Sequence, residues 1–188
     1  MCGIFTLLNN HTSLPRNYVY DQFIKGQHRG PDDSIMEEVM INATFGFHRL
    51  AINGIDRGSN QPLRINNITL ICNGEIYNYK ELYKIMSDVK PQTNSDCEVI
   101  IHLYIKYGIE HTLQMLDGVF AFCLLDSSDC FNKSKLFIAR DPYGVRPMYI
   151  MRSNKNKIDS IYGISSELKQ LTGICNTLNI QNRNLKNP

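Results

Sequence analysis

The segment MCGIFTLLN, residues 1–9, is the part of the sequence from which the fold and the chemistry are predicted. Residues 3–9 form a short apolar run, which predicts a buried β-strand. Cys2 stands directly before that strand, and Gly3 leaves the backbone beside it unhindered. The opening segment therefore places a thiol at the start of a core strand.

Cys2 follows the initiator methionine, and a small second residue permits the removal of Met1. Cys2 would then carry a free α-amine, which titrates near ~7.7–8.0 and can accept a proton at neutral pH. One residue would supply both a nucleophile and its base, as in N-terminal nucleophiles. Taken alone, a cysteine at position 2 is more often an ordinary residue, so this hypothesis needs support from the rest of the chain.

The remaining patterns predict a mixture of strands and helices. Strands are predicted at 43–52, 68–72, 76–79, 119–125, 135–139, 147–151 and 161–164. Helices are predicted at 18–27, 80–86, 95–107 and 166–171, and Ser95-x-x-Glu98 is a capping-box pattern. Because the helices are grouped between strands, we predict an α+β layered fold. Residues 172–188 are polar and Asn-rich, which predicts a tail or linker.

Asn73-Gly74 follows an apolar run and has two interpretations. Asn-Gly is a strong signal for a type I′ hairpin turn, which would separate the strands predicted at 68–72 and 76–79. Alternatively, the Asn73 amide and the Gly74 N–H form an oxyanion hole, in which each donor stabilises a transition state by several kcal/mol. The local pattern alone favours the turn.

Four further side chains are candidates for chemistry. Arg49 could clamp a substrate carboxylate in bidentate fashion, or could be a solvated surface cation. Asp96 could pair with a substrate ammonium, or could favour the first turn of a helix through the dipole. His28 and His48 could each act as a base, although structural histidines are commoner.

Composition excludes several classes of protein. A net charge of +2 over 188 residues gives no nucleic-acid or anionic-membrane footprint. No stretch approaches the ~20 apolar residues of a membrane span, and the N-terminus lacks the basic region of a signal peptide. Because there is no signal peptide pattern, we expect a cytoplasmic location, and at this size and in this compartment we expect no disulfide framework. The six cysteines form no CxxC pair, so we also expect no metal site.

Several short motifs, taken together and in order, resemble one family. They are MCGI at 1–4, HRGPD at 28–32, FGFHRLAI at 45–52, QPL at 61–63, NGEIYN at 73–78, SDCEVI at 95–100, LDGVFAF at 116–122, RDPYGVRP at 140–147 and SSELK at 165–169. They resemble the glutaminase domain of class II glutamine amidotransferases, and most closely the asparagine synthetases. The resemblance covers residues 2–171 and reverses the local preference for a turn at Asn73-Gly74.

The resemblance implies a four-layer αββα N-terminal-nucleophile hydrolase sandwich of two mostly antiparallel sheets. It also implies that L-glutamine is hydrolysed to L-glutamate and ammonia through a thioester on Cys2. The implied roles are these: Cys2 as nucleophile with its α-amine as proton shuttle, Asn73 and Gly74 as oxyanion hole, Arg49 for the α-carboxylate, Glu75 and Asp96 for the α-ammonium, and the backbone of Leu50, Ala51, Ile52 and Asn53 for the rest of the slot. Arg29 and Asp32 of HRGPD would support the site structurally.

One feature of the asparagine synthetases is missing from the sequence. Their ATP-dependent synthetase domain carries an SGGxDS-type loop, and this sequence contains no Gly-Gly pair. We therefore expect either that the natural protein continues past Pro188 or that a partner chain accepts the ammonia. ATP and Mg²⁺ would act only in that synthetase domain, and glutamine hydrolysis would need no cofactor. Two alternatives are a non-catalytic glutamine-binding or regulatory module and the glutaminase part of an amidophosphoribosyltransferase, which RDPYGVRP also resembles.

Overall fold

A computed structural model describes residues 1–129, 134–153, 160–180 and 185–186. The strands are β1 (Gly3–Leu8), β2 (Asp33–Met40), β3 (Ala43–Arg49), β4 (Leu63–Ile65), β5 (Ile68–Ile76), β6 (Gly118–Asp126), β7 (Lys135–Arg140), β8 (Tyr149–Arg152), β9 (Tyr162–Ser165) and β10 (Leu185–Lys186). The helices are α1 (Arg16–Ile24), α2 (Tyr79–Ile85), α3 (Val99–Met115) and α4 (Leu168–Thr177). This mixture of strands and helices confirms the predicted α+β class.

The chain divides into two compact units. The first unit comprises Met1–Leu50 and Pro147–Pro188, and the second comprises Ala51–Arg146. The first unit contains a six-stranded sheet in the order β10-β8-β9-β1-β3-β2, and the second a four-stranded sheet in the order β4-β5-β6-β7. Every strand pairing in both sheets is antiparallel.

The core of the first unit forms where α1 and α4 pack against the sheet. Val19 and Phe23 are four residues apart on α1, so they share the buried face of the helix. The cluster that they join contains Phe5, Leu7, Leu14, Met151, Ile161, Leu171, Ile174, Cys175 and Ile180. β1 lies between β3 and β9, which fixes the start of the chain inside the sheet.

The core of the second unit forms where α3 packs on β5 and β6. The first turns of α3 are almost wholly apolar, which explains why this end of the helix is buried. The cluster contains Leu63, Ile65, Ile68, Leu70, Cys72, Ile76, Leu82, Met86, Cys97, Val99, Ile100, Ile101, Leu103, Phe120, Phe122 and Leu124. This packing holds β5, which carries Asn73 and Gly74, in the middle of the unit.

The hairpin interpretation of Asn73-Gly74, against which the family resemblance argues, is wrong, and so is the predicted capping box. Asn73 and Gly74 do not form a hairpin turn, because β5 continues through both residues to Ile76. Neither residue has the positive φ that a type I′ turn requires. The capping box is also absent, because the Ser95 side chain makes no capping hydrogen bond.

Two other elements differ from the predicted pattern. β2 was not predicted, because its half-exposed residues show no clear alternation. The segment 172–188, predicted as a tail or linker, contains the end of α4 with buried Ile174 and Cys175, and it contains β10, which pairs with β8. Residues 181–184 and 187–188 lie outside the described residues, and the boundary of the domain stays a prediction.

Candidate functional site

Cys2 lies beside the end of β3. The β1–β3 register pairs Gly3 with His48, which brings residue 2 next to the backbone that follows the strand. The N–H of Leu50 donates to the Cys2 Sγ at 3.4 Å, and the thiol lies 3.5 Å from the carbonyl oxygen of Leu50. The N–H favours the thiolate and the carbonyl oxygen favours the thiol, so the two contacts fix the position of the sulfur without selecting its charge state.

Exposure distinguishes Cys2 from the other cysteines. Cys2 is half-buried, whereas the other described cysteines, Cys72, Cys97, Cys123 and Cys175, are buried. Cys130 lies outside the described residues. Burial raises the pKa of the Cys175 thiol, so that thiol is held in its unreactive form. Among the described cysteines, Cys2 is therefore the one that a substrate can reach.

The HRGPD segment packs against Cys2 and the end of β3. The Nε of Arg29 donates to the Cys2 carbonyl oxygen at 2.9 Å, and the Asp32 N–H donates to the Arg49 carbonyl oxygen at 3.0 Å. A Cβ on Gly30 would lie 2.4 Å from the His48 carbonyl oxygen, so only glycine fits there. These contacts agree with a supporting role for Arg29 and Asp32.

His48 and Arg49 occupy opposite faces of β3, because successive side chains alternate along a strand. His48 is fully buried and stacks on Phe23, with ring centroids 4.0 Å apart. Its Nε2 contacts the Phe23 carbonyl and its Nδ1 contacts Ser34, and burial lowers its pKa. Both ring nitrogens are occupied, so His48 is structural rather than a catalytic base.

Arg49 is 8% exposed, which excludes the alternative of a solvated surface cation. A buried guanidinium requires partners or a charged ligand, because the desolvation of an unpaired charge is very unfavourable. His28, in contrast, is largely exposed and lies 3.5 Å from the carboxylate of Glu167. Of the basic residues predicted as site candidates, Arg49 has the burial expected of a ligand clamp.

Asn73 is buried inside β5, opposite Ala121 of β6. Its side chain is 1% exposed, and its Nδ2 has no hydrogen-bond partner among the described residues. A buried N–H without a partner destabilises a fold by about 1–3 kcal/mol. A donor left in this state inside a packed sheet is suited to a ligand that accepts a hydrogen bond.

The contacts along the edge of β5 that faces away from β6 show where the N–H of Gly74 points. β4 pairs with β5 only as far as Leu70, and beyond it side chains cap the backbone. The Gln61 amide binds Cys72, and the Asp96 carboxylate accepts from the N–H of Ile76 at 2.7 Å. Because strand orientation repeats every two residues, the N–H of Gly74 points to this same edge, between the two capped positions.

Gly74 is also required by the opposite strand. A Cβ on this residue would lie 2.7 Å from the Val119 carbonyl oxygen and 2.8 Å from the Phe120 Cα. The glycine thus permits β6 to approach closely, which accounts for Asn-Gly without a turn. Asn73 and Gly74 are adjacent donors on a rigid strand, and such preorganisation is what an oxyanion hole needs.

Asp96 and Glu75 form an acidic patch beside these donors. Burial raises the pKa of the Asp96 carboxyl; the Ile76 N–H lowers it, nearby Glu75 raises it further, and the net shift is upward. Asp96 is 4% exposed and is also hydrogen-bonded by the side chain of Asn53, whereas Glu75 is exposed. Two neighbouring carboxylates, one of them desolvated, favour the binding of an ammonium group.

The loop after β3 contributes the remaining predicted residues. Ala51 is half-buried, and the side chain of Ile52 is 67% exposed, so these positions offer backbone rather than side-chain groups. The loop is fixed at Asp56, whose carboxylate accepts from Ser59 and from the side chain of Asn94. Asn94 is two residues before Asp96, so this contact ties the loop to the acidic patch.

The predicted site residues thus fall into two groups, each assembled within one unit. The first unit brings together Cys2, Arg49 and Leu50. The second unit carries Ala51, Ile52, Asn53, Asn73, Gly74, Glu75 and Asp96. Within each unit, the predicted residues lie on a strand or a short helix, or in the loop next to one.

Residues 1–187 match the model of the glutamine amidotransferase domain family. The chain belongs to this family. Among curated proteins, the amidotransferase domain is 42% identical over 179 residues to asparagine synthetase [glutamine-hydrolyzing] of Gallus gallus, covering 93% of this chain and 30% of the relative. It is 41% identical over 176 residues to the enzyme of the same name from Homo sapiens, covering 91% of this chain and 29% of the relative. The chain therefore spans about 30% of the length of these relatives.

Two supporting residues of the amidotransferase domain were not predicted from the sequence. Gln61 uses both ends of its amide to pair with the backbone of Cys72, one residue before Asn73. Glu98 accepts from the N–H groups of Gln92 and Thr93 and fixes the loop before Asp96. The motifs QPL and SDCEVI contain these residues, but sequence alone does not show which backbone groups they bind.

The described residues of the amidotransferase domain contain no helix with the length and hydrophobicity needed to cross a membrane. They also contain no group of three or more His, Cys, Asp or Glu side chains arranged to hold a metal ion. The independence of glutamine hydrolysis from cofactors stays a prediction.

Proposed function

We propose that this amidotransferase domain hydrolyses L-glutamine to L-glutamate and ammonia through a thioester on Cys2. The observation that carries the proposal is the pair of adjacent donors on β5. The Nδ2 of Asn73 is buried without a partner among the described residues, and the N–H of Gly74 points to the strand edge between two capped positions. An oxyanion is the ligand that two such donors fit best.

In the first half of the reaction, the α-amine of Cys2 takes the thiol proton after Met1 is removed. Sγ then attacks the side-chain amide carbon of glutamine, and the carbonyl oxygen becomes an oxyanion stabilised by Asn73 and Gly74. The carbon–nitrogen bond breaks, and the α-ammonium gives its proton to the leaving nitrogen, which departs as ammonia. The acyl group remains on sulfur as a thioester.

In the second half, water attacks the thioester carbonyl and gives a proton to the α-amine. The same two donors stabilise the second oxyanion, and the carbon–sulfur bond breaks to release glutamate. The proton returns to sulfur, so Cys2 is regenerated. His48 has no part in either half, because its ring nitrogens are occupied by Ser34 and Phe23.

Recognition of glutamine requires one cation and at least one anion, because the free amino acid is a zwitterion. Arg49 holds the α-carboxylate, and Glu75 with Asp96 holds the α-ammonium. Backbone groups of Leu50, Ala51, Ile52 and Asn53 complete the slot. Glutamine is preferred over glutamate because a neutral side-chain amide loses far less hydration on entering the slot than a second carboxylate would.

The N-terminal-nucleophile hydrolase fold, with its four-layer αββα sandwich, is part of this proposal. It is supported by the family match and by the two antiparallel sheets, each with its own helices. We further propose that the ammonia serves asparagine synthesis, in a synthetase domain or partner chain that uses ATP and Mg²⁺. The names of the relatives support this destination over an amidophosphoribosyltransferase. A cytoplasmic location stays a prediction from the sequence.

The proposal is tested with Cys2→Ala and a matched control, Cys175→Ala. Intact mass first shows whether the purified chain begins at Cys2. Ammonia release should be lost in Cys2→Ala, while calorimetry still detects glutamine binding. Cys175→Ala removes a buried thiol of α4 and should hydrolyse glutamine at the parent rate. Hydrolysis by Cys2→Ala at the parent rate, or binding without turnover in a parent supplied with a synthetase partner, would contradict the mechanism.

A further inference from the structure

The backbone around Cys2 is held by the junction of β9 and α4, residues Ser165–Glu167. The Ile4 N–H donates to the Ser166 hydroxyl at 3.0 Å, and the Ser166 N–H donates to the Ile4 carbonyl oxygen at 3.0 Å. Both polar groups of Ile4 are therefore bound to one residue of the junction. This pair of contacts fixes β1 two residues after the nucleophile.

A second contact from the same junction reaches Cys2 itself. Glu167 accepts from the Nη1 of Arg29 at 2.8 Å, and the Nε of Arg29 donates to the Cys2 carbonyl oxygen at 2.9 Å. The side chain of Arg29 is 9% exposed and that of Glu167 is 26% exposed. The guanidinium thus bridges a carboxylate and the carbonyl of the nucleophile, largely shielded from water.

The charge on Glu167 belongs to this bridge. Burial raises the pKa of the Glu167 carboxyl, but the hydrogen bond and charge of Arg29, together with the charges of His28 and Lys169, outweigh it, so the net shift is downward. Arg29 approaches Cys2 through the planar fork of its guanidinium, and the orientation of a fork depends on what each nitrogen binds. Glu167 is the described acceptor on Nη1, so it sets the angle at which Nε meets the Cys2 carbonyl.

We propose that Glu167 is a positioning residue for the nucleophile, acting through Arg29 on the backbone of Cys2. This inference rests on the proposed function, because it assigns Glu167 to the same reaction. Among the described residues, Glu167 makes its side-chain contacts with Arg29 and His28, neither of which is assigned to glutamine. Loss of the Glu167 carboxylate changes the placement of the Cys2 Sγ and α-amine. The residues assigned to the α-carboxylate and α-ammonium of glutamine remain in place. A displacement of a reacting atom by 1 Å can lower a rate by about 100-fold.

The test compares Glu167→Ala, Glu167→Gln, Arg29→Gln and the double variant Arg29→Gln/Glu167→Ala. We expect Glu167→Ala to lower kcat for glutamine hydrolysis by about 10- to 100-fold with KM unchanged. Glu167→Gln should recover part of the loss, because its amide oxygen still accepts from Arg29. The double variant should be no slower than Arg29→Gln, since residues acting in series are not additive.

Asp88→Asn is the matched control. Asp88 pairs with Lys106 at the surface of the second unit, so the variant removes one carboxylate from an ion pair that makes no contact with Cys2. Its kcat should equal that of the parent. Thermal unfolding of every variant shows whether a loss of kcat comes from a loss of folded protein.

Alkylation of Cys2 by iodoacetamide, followed by peptide mass spectrometry, gives a readout that does not need turnover. A changed alkylation rate in Glu167→Ala supports the inference even if the parent proves not to hydrolyse glutamine. An unchanged alkylation rate together with the parent kcat overturns it, as does a raised KM at constant kcat. Losses of kcat that add in the double variant would show that Glu167 does not act through Arg29.

Discussion

Replacing Asn73 by alanine is expected to lower kcat strongly without destabilising the fold. The substitution deletes Nδ2, one of the two donors assigned to the oxyanion. The loss of a single oxyanion-hole donor lowers kcat by about 10²–10³-fold, equivalent to about 2.7–4 kcal/mol. Because the amide is assigned to the transition state rather than to the ground state, KM for glutamine should change little.

Stability should respond differently, because Nδ2 has no partner in the folded protein. A buried donor in this state is unfavourable by about 1–3 kcal/mol, and its deletion offsets the lost packing of the side chain. We therefore expect the free energy of unfolding of Asn73→Ala to lie within about 1 kcal/mol of the parent value.

Gln61→Ala provides the contrast, because Gln61 is a second buried amide beside the same strand. Its Nε2 donates to the Cys72 carbonyl oxygen at 3.0 Å, and its Oε1 accepts from the Cys72 N–H at 2.5 Å. Removal of the amide leaves two buried backbone groups unpaired, at about 1–3 kcal/mol each. This variant should lose much more stability than Asn73→Ala.

Urea unfolding at pH 7 and ammonia release at saturating glutamine are the two measurements. The reasoning is refuted if Asn73→Ala hydrolyses glutamine at the parent kcat. It is also refuted if Asn73→Ala is destabilised as strongly as Gln61→Ala, since Nδ2 would then have a partner in the native protein.

Two further predictions concern carboxylates with shifted pKa values. Asp96→Asn should raise KM for glutamine by about 30-fold or more, because an ion partner worth about 2–5 kcal/mol is lost. Because folding raises the pKa of Asp96, its negative charge destabilises the folded protein at pH values above that pKa. The variant should therefore be at least as stable as the parent in urea unfolding at pH 7. Glu98→Gln should lower the free energy of unfolding by about 1.5–3 kcal/mol at pH 7. Because folding lowers the pKa of Glu98, its carboxylate stabilises the protein at pH values above the unfolded pKa. The difference from the parent should therefore vanish as the pH falls through the folded pKa. A difference independent of pH would contradict this.

The strands and helices that bury an apolar face could be predicted from the sequence. β1, β3 and α1 appear close to their predicted positions, because burial on one face imposes the period of the element on the sequence. β2 could not be predicted, because it is the edge strand of its sheet and its residues are half-exposed. An edge strand needs less apolar alternation than a central strand, so its pattern is weak.

The error at Asn73-Gly74 has a tertiary cause. The dipeptide satisfies a type I′ turn locally, yet the close approach of β6 at Val119 requires glycine within a straight strand. The same holds at Ser95-x-x-Glu98, where Glu98 binds Gln92 and Thr93 instead of closing a capping box. At Asn73-Gly74 the local preference is overridden by a strand distant in sequence, and at Ser95-x-x-Glu98 it is overridden by the loop that directly precedes the pattern. Neither contact can be predicted from the periodicity of a single sequence.

Hydrogen-bond satisfaction separates Gln61 and Glu98, which support the site, from Asn73. Gln61 and Glu98 are buried, and their polar atoms are matched by backbone groups of the same unit. Asn73 has an unmatched donor, and Asp96 has a carboxyl whose pKa is raised by burial. Unmatched polar groups in a packed interior are unfavourable unless a ligand completes them. The unmatched donor of Asn73 is therefore a physical argument for a bound hydrogen-bond acceptor that is independent of family resemblance.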